Sequence, residues 1–188
     1  MTETPTPSQT VGPFFAIGLP QVGGAELVPP GDPDAVRLFG IVTDGDGEPV
    51  DDAYLEIWQA NRAGRYAHPE DTREELPLED GFKGFGRVGT DDEGRYEFVT
   101  VKPGPVPAPG GGMQAPHIDV SVFARGLLKR VVTRVYFPDE SEANGADPIL
   151  SSVPDEEARA ALVAREENGG LRFDIRLQGD GETAFFDV

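Results

Sequence analysis

From Val36 onward, apolar and polar residues alternate in short runs: Val36 to Thr43, Ala53 to Ala60, Arg95 to Lys102, His117 to Arg125, Arg130 to Phe137 and Leu171 to Leu177. Val, Ile, Phe and Tyr are frequent in these runs. On an extended backbone successive side chains point to opposite sides, so each run predicts a strand with one face toward a core. Asp44-Gly45-Asp46-Gly47 and Asp91-Asp92-Glu93-Gly94 lie between runs. Their Asp/Gly chemistry favours tight antiparallel connections over helical crossovers. The predicted fold is all-β, an antiparallel β-sandwich. A single short helix is predicted over Asp155 to Glu167. Pro154-Asp155 opens it, Ala158, Ala161, Leu162 and Ala164 run along it, and Asn168-Gly169-Gly170 closes it.

Residues 1–35 break this rhythm. They are rich in Pro, Gly and Thr and hold one apolar island, Val11 to Leu19, with Phe14, Phe15 and Ile17. The pattern predicts an extended N-terminal arm docked on another surface, because such side chains gain by leaving water. Residues 36–188 then form one domain. Lys102 to Gly112, with four prolines and four glycines, reads as a stiff and then flexible loop running into the strand that carries His117. Gly81 to Gly86 has closely spaced glycines but no strand before it and helix after it, so it reads as a bend rather than a phosphate loop.

The chain has 188 residues, enough for one self-sufficient core and too few for two. Its 24 Gly and 18 Pro fit a loop-rich β protein. A net charge of -18 repels phosphate backbones and anionic lipid, which argues against nucleic-acid and membrane-surface roles. The absence of cysteine excludes disulfides, thiol nucleophiles and cysteine-bound metals, and is consistent with a cytoplasmic protein. Neither a signal peptide nor a membrane-spanning run is expected.

Candidate chemistry is sparse. With only His68 and His117, a metal site built from this chain would need carboxylates or tyrosines. His117-Ile118-Asp119 puts His and Asp on one face of a strand, a spacing that suits two ligands of one ion or a hydrogen-bonded pair equally well. Tyr66, after Gly64-Arg65, either projects a phenol into a cleft or packs. No serine lies in a Gly-x-Ser-x-Gly context.

Four segments carry a resemblance: Pro7-Ser8-Gln9-Thr10-Val11-Gly12-Pro13-Phe14, Asp52 to Ala60, Gly64-Arg65-Tyr66 and Val101-Lys102-Pro103-Gly104-Pro105. Together they resemble the intradiol ring-cleavage dioxygenases over nearly the whole chain. Within the family, Phe123-Ala124-Arg125-Gly126 and the C-terminal segments Arg172 to Gly179 and Glu182 to Asp187 are similar to the alpha chains of members that cleave protocatechuate.

The resemblance implies an alpha-beta hetero-oligomer of two related β-sandwich chains, with Fe(III) bound by the beta subunit. The N-terminal arm, residues 1–35, would dock on that partner. The catalytic chains of the family hold iron with two tyrosines and two histidines. Here Tyr66 matches the first tyrosine and His117 the first histidine, whereas Val106 and Asp119 stand at the other two positions. The resemblance therefore implies a vestigial metal position, with no metal and no catalytic residue belonging to this chain alone. It also implies substrate-binding roles for Arg125, Thr10, Gly12, Pro13 and Phe14, the last standing where alpha chains commonly have tyrosine. A guanidinium at Arg125 suits an anionic dihydroxybenzoate; a solvent-facing arginine is the other reading of that residue. Two further hypotheses are a non-catalytic transthyretin-like binding module and an independent metalloenzyme using Tyr66, His117 and Asp119.

Overall fold

The computed structural model describes residues 6–12, 14–19 and 22–187. Two sheets and a small ribbon make up the fold. The first sheet contains β1 (Val36–Thr43), β4 (Arg95–Thr100), β9 (Arg165–Glu167), β10 (Gly170–Arg172) and β11 (Ile175–Arg176). The second runs β3 (Phe85–Gly89), β2 (Tyr54–Trp58), β7 (His117–Phe123), β8 (Val131–Tyr136). β5 (Val106–Pro107) and β6 (Met113–Gln114) pair as the ribbon, inside the segment whose composition predicts only loop.

The alternation sets which faces meet. Leu38, Val42 and Phe98 of the first sheet and Leu55, Ile57, Val120, Val122 and Val135 of the second are essentially inaccessible to water. They belong to one apolar cluster. Each such side chain contributes roughly 1.5–3 kcal/mol on burial.

The topology departs from the predicted antiparallel connections at one place: the C-terminal strands β10 and β11 pair with β1 in parallel. The run Leu171 to Leu177 is also split. At Phe173 and Asp174 the chain bulges, with Phe173 N–H donating to Phe39 C=O (2.8 Å) and Asp174 Oδ1 accepting from Ile41 N–H (3.2 Å). Gly40 is required there, since a Cβ at this position would lie 1.9 Å from the Phe173 carbonyl oxygen.

The predicted helix over Asp155 to Glu167 is corrected to α3 (Glu156–Ala161), capped by the Asp155 side chain on Ala158 N–H (2.8 Å). Tertiary pairing stops it early. Tyr136 N–H donates to Leu162 C=O and Ala164 N–H to Tyr136 C=O, both 2.9 Å, drawing the chain alongside β8. Asn168 (φ 49°) and Gly169 (φ 72°) then form the two-residue turn of the β9–β10 hairpin rather than a helix stop.

β3 begins inside the glycine-rich segment expected to be only a bend, and it is a strand because residues 24–27 fold over it. Leu27 is fully buried, and Arg87 N–H and Lys83 N–H donate to Gly24 C=O and Leu27 C=O (both 2.8 Å). A Cβ on Gly86 would fall 2.5 Å from a Leu27 methyl. This portion of the first 35 residues is thus built into the sandwich, while α1 (Phe15–Gly18) lies further out. Among the described residues, no helix is long and apolar enough to cross a membrane.

Candidate functional site

The residues singled out from sequence fall into two clusters at opposite ends of β7. At its start, His117 and Asp119 share the outward face of the second sheet. Register places Asp119 between Trp58 of β2 and Arg134 of β8, and His117 beside Tyr136. His117 is buried, and its Nδ1–H donates to Ala115 C=O (2.7 Å), leaving the Nε2 lone pair directed elsewhere. Nε2 stands 3.8 Å from Asp119 Oδ2. Burial lowers the His117 pKa, opposed by the Asp119 carboxylate, so the imidazole is neutral near pH 7 and the contact is not an ion pair.

Tyr66 stacks on Trp58 with ring centroids 5.7 Å apart and planes 6° from parallel. Its loop is pinned by Asp71, which accepts from Tyr66 N–H (2.8 Å) and pairs with Arg73. Hydrogen bonding from Arg73 holds the Asp71 carboxyl well below the usual carboxylate range. Trp58, Tyr66, His68, Asp71, Arg73 and Pro107 border an open cleft of about 470 Å³. Burial, reinforced by the Asp119 charge, pushes the Tyr66 phenol up to about 12. A raised pKa favours the neutral phenol in the folded state. The expected result is that the difference spectrum between wild type and Tyr66→Phe shows phenolate only as pH approaches 12, with native stability falling between pH 10 and 12. A Tyr66 phenolate already present at pH 7 would reveal a cation bound to its oxygen.

Val106 is buried on β5 and pairs in register with Gln114. Gln114 and Arg134 were not singled out from the sequence, yet they complete this cluster. Arg134 donates from Nε to Asp119 Oδ1 (2.8 Å) and from Nη1 to Gln114 Oε1 (2.7 Å), and the Gln114 amide donates to Pro107 C=O (2.9 Å). The available signal was an arginine inside the apolar strand run Val131–Tyr136; its partner depended on the β7–β8 register.

The second cluster lies past the end of β7. Arg125 Nε is ion-paired with the Asp52 carboxylate, and Nη2 stands 3.7 Å from Asp51. Thr10 Oγ1 accepts a hydrogen bond from Gly126 N–H (2.8 Å), and Phe15 packs edge-on against Tyr54 at 6.0 Å. These contacts bring Thr10 beside Arg125 and hold the neighbouring Gly12 and Phe14 near the same end of the sandwich. Phe14 is 78% exposed and Arg125's side chain 57%. Pro13 lies outside the described residues. β7 spans six residue steps of about 3.3 Å, so the Arg125 cluster and the His117 cluster stand roughly 20 Å apart.

A family model described as Dioxygenase matches residues 12–179. The chain belongs to the intradiol dioxygenase family. It is 48% identical over 200 residues to the protocatechuate 3,4-dioxygenase alpha chain of Burkholderia cepacia, covering 97% of each chain. To the beta chain of that organism's enzyme it is 40% identical over 160 residues, covering 80% of this chain and 67% of that one. Among solved structures, it resembles the dioxygenase domain of a dioxygenase carbohydrate-binding protein fusion from Streptomyces sp. SirexAA-E. The TM-score is 0.58 and the identity 27%, over 96% of this chain and 100% of that one.

Intradiol dioxygenases depend on iron, and the cluster around His117 does not fit it. Val106 has no donor atom, and Asp119 is engaged by a guanidinium. Among the described residues no three His, Cys, Asp or Glu side chains converge. Tyr66, His117 and Asp119 are brought near one another, but with Arg134 among them rather than around an open coordination position.

Proposed function

We propose that this chain is the alpha subunit of a protocatechuate 3,4-dioxygenase, working with a beta subunit that carries the Fe(III). The near-full-length likeness to an alpha chain carries this reading. The overall reaction adds both atoms of O₂ to protocatechuate and opens the ring between the hydroxylated carbons, giving 3-carboxy-cis,cis-muconate. The beta subunit's iron supplies the oxygen chemistry. This chain's part is to wall the pocket: Arg125 faces the anionic substrate with an oriented guanidinium, and Thr10, Gly12 and Phe14 shape the adjoining surface. The separation of the two clusters supports that division, since Arg125 is too far from His117 to serve any chemistry there. A cysteine-free chain suits a reducing cytoplasm.

The arm argues for a partner on the same side. Phe14 and Ile17 are 78% and 74% exposed in the lone chain, an arrangement that costs apolar hydration unless another surface covers them. The isolated chain is expected to aggregate, and co-production with the beta subunit to yield a soluble complex that cleaves protocatechuate and holds ferric iron. Negligible iron is expected in this chain by itself. Stoichiometric ferric iron with a tyrosinate charge-transfer band in the isolated chain would favour the independent metalloenzyme; a soluble monomer indifferent to the beta subunit would favour the binding module.

A further inference from the structure

The outer face at the start of β7 carries a charge arrangement that the proposed role in substrate binding does not use. Asp119 stands 3.8 Å from His117, the fully buried Asp147 accepts from Tyr136 O–H, and both carboxylates act electrostatically on His117 and Arg134. Carboxylates in such a setting need a cation nearby. Arg134 is that cation. Its side chain is only 18% exposed, its Nε–H is given to Asp119 and its Nη1–H to Gln114, and Gln114 is fixed in turn by Pro107. A guanidinium cannot shed its proton under any ordinary condition.

The same surroundings hold most of what a divalent transition metal requires. His117 is neutral, and its Nδ1–H is anchored on a backbone carbonyl, the arrangement that orients metal-ligating imidazoles. Its free lone pair lies 3.8 Å from a carboxylate oxygen. Two ligands about 2.1 Å from a tetrahedral ion sit about 3.4 Å apart, so closure by about 0.4 Å would let one ion bridge them. Tyr66 stacks on Trp58, the direct register partner of Asp119, which makes its phenol the candidate third donor. With Arg134 in place, an incoming dication meets a fixed positive charge and an Asp119 oxygen already committed.

We infer that Arg134 is a built-in substitute for a metal ion: it neutralises the Tyr66–His117–Asp119 cluster and bars a transition metal from it, so that removing its charge turns the cluster into a zinc-class site. Its position follows from the β7–β8 register, in which Asp119 and Arg134 are direct partners.

The test uses the full chain co-produced with its beta subunit. Wild type, Arg134→Ala, Arg134→Gln, Arg134→Lys and the double variant Arg134→Ala/His117→Ala are equilibrated with Zn²⁺ at neutral pH, desalted, and analysed for zinc and iron separately. Arg134→Ala and Arg134→Gln are expected to gain about one zinc per chain over wild type. Arg134→Lys, which keeps a cation, should gain none, and the double variant should lose what Arg134→Ala gained. Iron should not change. Arg134→Gln guards against misfolding, because it leaves a smaller void than alanine and keeps an amide donor while removing the charge. A charge-removed variant that folds only when Zn²⁺ is supplied also supports the inference. Equal His117-dependent zinc in wild type and Arg134→Ala would overturn it. So would Arg134→Ala and Arg134→Gln chains that fold without gaining zinc, or that stay unfolded with Zn²⁺ present.

Discussion

Replacing Arg125 with Gln in the assembled enzyme is expected to lower kcat/KM for protocatechuate by 10- to 100-fold, about 1.4–2.8 kcal/mol, with the iron content unchanged. The expectation follows from charge and geometry. Among the described residues, Asp52 holds Nε, which orients the side chain, Asp51 stands 3.7 Å from Nη2, and Nη1 is left to a ligand. With Asp51 and Asp52 beside it the local charge is not positive, so the expected contribution is directed hydrogen bonding from an oriented guanidinium edge. A bound dihydroxybenzoate, together with negative charge developing on it, would meet a guanidinium already fixed in place. Lysine at this position should recover only part of the loss, because a point charge on a flexible stem does not reproduce the planar fork. Steady-state kinetics on the complex decide the matter. A Gln variant with wild-type turnover at every substrate concentration would make Arg125 a surface residue held by Asp52, and the pocket assignment would fall.

Asp147→Ala should destabilise the chain by about 3–5 kcal/mol, the cost seen when a buried, multiply bonded carboxylate is removed and its donors are stranded. Asp147 lies just past α2 (Ser141–Ala146) and is inaccessible to water. Oδ2 accepts from Ala115 N–H (2.7 Å), and Oδ1 accepts from Ile149 N–H and Leu150 N–H (both 2.8 Å) and from Tyr136 O–H (3.2 Å). These bonds tie the segment entering β7 to β8 and to the turn after α2. Thermal unfolding of the complex should show the loss as a fall in Tm of roughly 6–20 °C, given about 2–4 °C per kcal/mol at this chain length. Asp147→Asn should recover part of it, since one carbonyl oxygen remains while the new amide cannot accept from both sides. A Tm within 2 °C of wild type for the alanine variant would show that solvent satisfies these donors after all.

The sequence was legible where a local rule had no competitor. Period-two alternation identified β1, β2, β4, β7 and β8 because in each the core-facing side chains recur at every second position. It failed at β3, where glycines dilute the pattern to make room for Leu27, and at β5 and β6, where prolines and glycines suppress any strand signal. The helix ended early for a related reason. Leu162 and Ala164 suit a helix as well as an edge beside Tyr136, and the tertiary hydrogen bonds favoured the edge. At the candidate sites, residue types were readable and their partners were not. Tyr66, His117, Asp119 and Arg125 were singled out with the help of the resemblance, since type and spacing left each with a second reading, whereas Arg134 and Gln114 gain their meaning only from register.

By itself, then, the sequence determined the class of fold through residue type and local spacing, and, through its resemblance to known chains, the family and the loss of a metal donor at Val106. The tertiary structure decided three other things. The C-terminal strands run parallel to β1, Thr10 and Arg125 meet at one end of β7 while His117 lies at the other, and a guanidinium stands where Asp119 would otherwise present a free oxygen. Each joins segments far apart in the chain. Such pairings are fixed by which faces can be buried together, a property of the folded whole that local spacing does not encode.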